Sequence, residues 1–193
     1  MRVFIAIELP ELLRGRIGAL SQDLRARLPD PRGVMRWVNP AQFHLTLKFL
    51  GNCSDMQLSA LRTALEETAR GHPTFGLNFD GIGFFKSGSS LKVLWLGVSE
   101  GKERVKSLAI DLNEACSAFG FAQEVKPFHP HLTLARSKDS IAARTLESVL
   151  RQIPPPALGP VLIEKVSLIQ SVLSPQGPHY TTLSRTALGA APP

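Results

Sequence analysis

The sequence predicts an α+β fold of two related lobes about an approximate two-fold axis. Each lobe is expected to be an antiparallel-rich sheet with helices outside, and a matched strand in each lines a central cleft. Two observations carry this expectation. The tetrapeptide HLTL occurs at His44–Leu47 and again at His131–Leu134, 87 residues apart. Sliding the first half of the chain by that interval lays the order strand, helix, HLTL strand, helix, strand onto itself, although few residues outside the motif are identical.

The elements follow from apolar spacing. VFIAIEL is continuously apolar and β-branched, as a buried strand should be. After Pro10, Leu13, Ile17, Leu20, Leu24 and Leu28 recur at helical intervals, and PDPRG stops that helix. FHLTLKFL alternates as a strand. Ser54 is a cap for a helix carrying Leu58, Leu61 and Leu65 on one side. FGLNFDGIGFF and LKVLWLGV read as strands, and Val105, Leu108, Leu112, Cys116 and Phe119 mark a third helix closed by Gly120. The second HLTL strand precedes a helix with Ile141, Leu146, Val149 and Ile153. PPPALGP is expected to be a linker, VLIEKVSLIQSVL and HYTTLSRTAL strands, and GAAPP a frayed tail.

The chain has 193 residues, which fits one bilobal domain, 1–193, with an internal duplication of approximately 1–88 and 89–188. With 44% hydrophobic and 20% charged residues, the composition is that of a globular domain with a sizeable core. The net charge of +6 suits an anionic partner without selecting among RNA, nucleotides and acidic surfaces. Cys53 and Cys116 have no CxxC spacing, so reduced thiols in a cytoplasmic protein are expected. No apolar run approaches the ~18–20 residues of a membrane span, and MRVFIAIELP is too short in its apolar part for a signal peptide.

Strand geometry gives the motif a meaning. Side chains alternate faces, so His44 and Thr46 share one face while Leu45 and Leu47 take the other, and His131 and Thr133 repeat the arrangement. The leucines can enter a core. Two imidazoles and two hydroxyls can then converge from opposite walls of one cleft. A single His-x-Thr on a strand is ordinary. A matched pair is not, because each buried polar group needs a partner.

The tandem motifs, with RWVNPAQFHLTLKFLGN around the first and PFHPHLTLAR around the second, resemble the two-histidine (2H) phosphoesterases. The nearer resemblance is to the bacterial and archaeal RNA 2′,3′-cyclic phosphodiesterases, also called 2′-5′ RNA ligases, and it runs from FIAIELP to SVLSPQGPHY. It implies a bilobal fold with the motifs lining a cleft, no cofactor, and an RNA with a 2′,3′-cyclic phosphate end as partner, bound by a monomer away from membranes. It also implies His44 as proton donor, His131 as proton acceptor and a product with its phosphate on the 2′ oxygen. The matched pair itself reads alike in both directions.

The residue types suit that chemistry. Water must attack phosphorus in line with the departing ribose oxygen, one neutral imidazole taking a proton while an opposed imidazolium gives one. Histidine, with an ordinary pKa of ~6.5, serves both ends. Thr46 and Thr133 can donate to the non-bridging oxygens as charge builds there.

Lys48 has the parity to continue the His44 face, and Arg36 and Trp37 stand close enough before the first motif to edge the cleft. Phe49 has the opposite parity and is expected in the core. The resemblance implies that Arg136 helps hold the phosphate, whereas simple alternation puts it on the leucine face unless the strand bends after Ala135. His129 and His131 could together recruit a metal, but no Asp, Glu or Cys completes a ligand set, and no metal site is expected. His129 is expected to be a cleft-edge or structural residue, and His72 is expected to be exposed. The rival functional classes are an RNA-end-binding module without turnover and a phosphodiesterase for another cyclic phosphate, such as ADP-ribose 1″,2″-cyclic phosphate.

Overall fold

A computed structural model of the chain describes every residue except 31–32, 139–142, 155, 157, 176 and 191–193. In chain order the elements are β1 (Arg2–Glu8), α1 (Glu11–Arg27), β2 (Met35–Trp37), a 3-10 turn (Pro40–Gln42), β3 (His44–Asn52), α2 (Asp55–Arg70), β4 (Phe75–Leu77), β5 (Phe79–Ser87), β6 (Ser90–Val98), α3 (Lys102–Ser117), β7 (His131–Ser137), α4 (Ala143–Leu150), β8 (Val161–Ile163), β9 (Lys165–Ser174) and β10 (Gly177–Ala187).

Two four-stranded antiparallel sheets, ordered β10-β9-β1-β3 and β2-β7-β6-β5, each contain one HLTL strand, and β4 pairs with β8 in a third, two-stranded sheet. Neither large sheet comes from one half of the chain. The order β3-β1-β9 matches β7-β6-β5, so β5 of the first half sits in the second half's sheet and β9 of the second half in the first half's.

β1 is buried on both sides, which its unbroken apolar run requires. Val3, Ile5 and Ile7 join the main core with Leu45 and Leu47 of β3 and with Leu13, Ile17 and Leu24 of α1. Phe4 and Ala6 point the other way and pack with Ile169 of β9 in a separate small cluster. The helices therefore cover one face of the sheet, and the histidine face is left for a site.

Local chemistry places β3. Ser54 and Gln57 form a reciprocal capping box at the start of α2. Ahead of β3, Asn39 Oδ1 accepts from Ala41 N at 3.0 Å, which fixes the 3-10 turn. Gly18 of α1 lies under that turn, since a Cβ there would approach Pro40 Cγ to 3.0 Å.

Some expectations need correction. The three-residue strand β2 was not anticipated; its Trp37 and Arg36 are held by pairing to Ala135 and Arg136. The tail is anchored at Gly189, whose N–H bonds to the carbonyls of Ala69 (3.1 Å) and His72 (2.8 Å). His72 is only 12% exposed at its side chain and pairs with Asp111 at 2.8 Å. Ile141 lies outside the described residues. Cys53 and Cys116 are buried free thiols, and burial pushes Cys116 up to about 11, with the Lys48 ammonium acting in the opposite direction. Among the described residues, no helix is long and apolar enough to cross a membrane.

Candidate active site

Both motifs carry a β-bulge at the same place. In β3, Ala6 faces Thr46 and Ile5 faces Lys48, so Leu47 is the extra residue. In β7, Trp95 faces Thr133 and Leu94 faces Ala135, so Leu134 is the extra residue. A bulge puts two successive side chains on one side and reverses the parity beyond it. Lys48 and Ala135 consequently turn into the core, while Phe49 and Arg136 turn back to the histidine face.

Lys48 is therefore not in the cleft. It is 1% exposed, and its Nζ donates to Asn113 Oδ1 at 2.7 Å and to the Ala122 carbonyl at 2.9 Å. Phe49, expected in the core, is 57% exposed, with its ring 6.2 Å from that of Phe4. Arg136 faces the cleft, on the side its resemblance-based role needs. Arg36 is its direct partner in the β2–β7 ladder, which puts two guanidinium side chains on the same face. Like charges held side by side at the surface make a place for an anion.

Each histidine is tethered in the same way. His44 Nδ1 donates to the Gln42 carbonyl at 2.8 Å and His131 Nδ1 to the His129 carbonyl at 2.6 Å, two residues back in both cases. A carbonyl can only accept, so Nδ1 carries the hydrogen in both rings and Nε2 is the nitrogen that can exchange a proton with a ligand. His44 Nε2 lies 3.0 Å from Thr46 Oγ1, within the motif itself. The Gln42 amide donates to the Pro178 carbonyl, which ties the turn before His44 to the start of β10.

Aromatic rings surround both imidazoles. The His44 ring lies 4.9 Å from that of Phe4, tilted by 34°, and meets Tyr180 edge-on at 5.3 Å. His131 meets Phe85 edge-on at 4.9 Å, and His129 meets Trp95 at 4.8 Å.

The electrostatics join the two walls. Burial holds His44 below the ordinary imidazole range; the Gln42 carbonyl and Glu8 oppose that, and Arg136 reinforces it. His131 is also lowered by burial, with the His129 carbonyl opposing and the His129 ring and Arg136 reinforcing. Burial raises the Tyr180 hydroxyl, with Arg136 and Arg2 pulling it back. Arg136 of β7 therefore acts on His131 of its own sheet and on His44 and Tyr180 of the other. Its strand lies against β3, which is the edge of the first sheet.

Sequence reasoning missed Glu8, Phe49, Phe85, Trp95 and Tyr180. Glu8 had a signal, as the acid closing an apolar strand. The aromatic residues had none that alternation could supply. A groove of about 520 Å³ lined by Glu67, His72, Arg104 and Asp111 involves no motif residue. Among the described residues, no group of three or more His, Cys, Asp or Glu side chains is arranged to hold a metal.

Paired sheets that each present one His-x-Thr strand define a class, and residues 10–173 match the model of the 2′-5′ RNA ligase superfamily. The chain belongs to that family. An RNA 2′,3′-cyclic phosphodiesterase of Thermotoga maritima is 33% identical over 95% of this chain and 93% of its own. One from Methanothermobacter thermautotrophicus is 30% identical over 95% and 96%. The crystal structure of Escherichia coli LigT complexed with 3′-AMP superposes with a TM-score of 0.78 at 30% identity, covering 97% of both chains.

Proposed function

We propose that this protein hydrolyses RNA 2′,3′-cyclic phosphate ends to 2′-phosphomonoesters by two-histidine acid–base catalysis. The observation that carries the proposal is the matched Nδ1–carbonyl tether, which commits both Nε2 atoms to proton exchange. The relatives named as RNA 2′,3′-cyclic phosphodiesterases support the substrate class.

In this reading the cyclic phosphate sits between the two motifs. His131, whose ring carries more cationic company, takes the proton of the attacking water at Nε2. His44, which has Glu8 beside it, gives its Nε2 proton to the departing 3′ oxygen. Thr46 and Thr133 donate to the non-bridging oxygens, and Arg136 with Arg36 holds their charge. The nucleoside that carries the leaving oxygen lies on the His44 wall, where Phe49 and Tyr180 offer exposed rings to its base. The strained diester supplies the driving force, and the same geometry run with an RNA hydroxyl in place of water is reversible 2′-5′ ligation. Every residue invoked comes from one chain, so a monomer suffices.

The test is the pH–rate profile on a nucleoside 2′,3′-cyclic phosphate, with the product position determined. A bell is expected, and His44→Ala or His131→Ala should each lower the rate roughly 10²–10⁴-fold. Thr46→Ala and Thr133→Ala should cost less, about 10–10³-fold. Binding of the RNA end with no turnover would point to a recognition module. Near-normal turnover in either histidine variant would overturn the mechanism.

A further inference from the structure

We infer that Gln42 is a positioning residue: its side-chain amide latches the β9–β10 ribbon over the His44 wall and so sets where Tyr180 stands. The consequence for turnover rests on the function proposed above. β10 and β3 are opposite edges of one sheet, with β9 and β1 between them. Three strand spacings of ~4.8 Å would put those edges roughly 14 Å apart in a flat sheet. Thr181, next to Tyr180, is level with Val3 through Gln170, whereas His44 is level with Glu8. The steps from Val3 to Glu8 add about 17 Å along the strands. Yet the Tyr180 ring lies 5.3 Å from the His44 ring and 5.2 Å from that of Phe4. One side chain does not span that separation. The ribbon therefore curls back across the histidine face of its own sheet.

Such a ribbon needs an anchor. The β1–β9 ladder ends at Gln170, and beyond it 171–174 pair with 177–180. A two-stranded ribbon is marginal by itself in water. The Gln42 amide holds it by donating to the Pro178 carbonyl. The base of this latch is firm, because Gln42 N donates to the Asn39 carbonyl at 2.8 Å and Asn39 Oδ1 closes the same turn on Ala41 N. The Gln42 carbonyl meanwhile accepts from His44 Nδ1 at 2.8 Å. One residue thus holds the histidine through its backbone and the ribbon through its side chain.

The latched ribbon covers His44. Phe4 of β1 and Tyr180 of β10 flank the imidazole, and Glu8 of β1 and Arg136 of β7 are the charges that act on it. Release of the ribbon would admit water to the ring and leave its Nδ1 tether in place.

Tyr180 is the only tyrosine of the chain, so ring-labelled tyrosine gives a single reporter. Gln42→Met keeps the length and the backbone carbonyl and removes the donor at a half-buried turn position. The nuclear Overhauser contact between the Tyr180 and His44 rings should be present in the wild type and weaken severalfold in Gln42→Met. The His44 pKa, read by imidazole NMR without substrate, should rise in the variant, because burial is the first cause of its lowering. On a nucleoside 2′,3′-cyclic phosphate, KM should rise about 2–10-fold, the worth of one hydrogen bond, with kcat changed less. In a Tyr180→Leu background the same substitution should add little, since both act through the ribbon. A lost ring contact and a raised His44 pKa in protein that hydrolyses no cyclic phosphate would keep the latch and overturn the proposed function. An unchanged contact and pKa in Gln42→Met, or an undiminished KM effect in the Tyr180→Leu background, would overturn the latch.

Discussion

Glu8 stands directly across from His44 in the β1–β3 ladder, and the corresponding place across from His131 is taken by Gly97. The Glu8 carboxylate accepts from Ser167 Oγ at 2.6 Å, Arg185 Nε at 2.9 Å and Thr182 Oγ1 at 3.1 Å. Burial pushes Glu8 up, but these bonds outweigh it and hold the carboxyl below its usual range. A fixed negative charge therefore favours the imidazolium of His44, while His131 has the His129 ring and Arg136 favouring its neutral form. Burial and Arg136 hold both imidazoles low, and a neighbouring carboxylate opposes that at His44 alone.

Glu8→Gln keeps the shape and removes that charge. The limb of the pH–rate bell that reports loss of the His44 proton should move to lower pH, narrowing the bell from its alkaline side. The acidic limb, belonging to His131, should stay. An alkaline limb that does not move would show that Glu8 serves the fold alone.

Lys48 makes a stability prediction in place of the binding role its parity suggested. Its ammonium is buried and satisfies Asn113 Oδ1 and the Ala122 carbonyl. Lys48→Ala leaves a cavity and weakly satisfied acceptors, an expected cost of about 2–4 kcal/mol out of the ~5–15 kcal/mol typical of a domain. Denaturant midpoints measure this. An unchanged midpoint, with weaker RNA binding in its place, would return Lys48 to the cleft.

The misreading of Lys48 and Phe49 has a single physical cause. Alternation was sound for His44 to Leu47 and for His131 to Leu134, so both His-x-Thr pairs and the leucine cores were readable. The bulges at Leu47 and Leu134 use ordinary residues, without the glycine that often marks one, and nothing local announces the change of parity. The same bulge explains why alternation put Arg136 on the wrong face while the family pattern did not. The short β2 strand was hidden for a different reason. Its pairing with Ser137, Arg136 and Ala135 is made with residues about a hundred positions away, and three residues carry no period of their own.

Acid should destabilise the fold before the carboxylates titrate. Burial is the first cause of lowering at His44, His129 and His131 alike. The unfolded chain then binds protons at these positions near pH ~6.5, where the native state still resists them. Stability is thus full above that value and is lost as pH falls through and below it. Melting temperatures taken from pH 7.5 down to about 5 should fall, and His44→Gln should reduce the slope. A flat profile over that window would contradict burial of the imidazoles.

Arg136 gives the sharpest test, because it acts on both histidines and, in the proposed function, on the phosphate as well. Its guanidinium disfavours both imidazolium forms. Arg136→Ala should therefore raise both pKa values and slide the whole bell to higher pH. That contrasts with Glu8→Gln, which moves one limb downward. The substitution should also lower kcat/KM roughly 10–10²-fold, from the ~1.5–3 kcal/mol of a charge-assisted hydrogen bond to the substrate. Arg136→Lys separates the two effects, since it keeps the charge near the histidines and loses the forked contact. Its bell should stay near the wild-type position while its rate falls. Arg36→Ala, at the neighbouring ladder position, should cost less and move the limbs little, since neither histidine is lowered by it. An Arg136→Ala protein with reduced rate and an unshifted bell would place the guanidinium on the phosphate but out of reach of the two imidazoles.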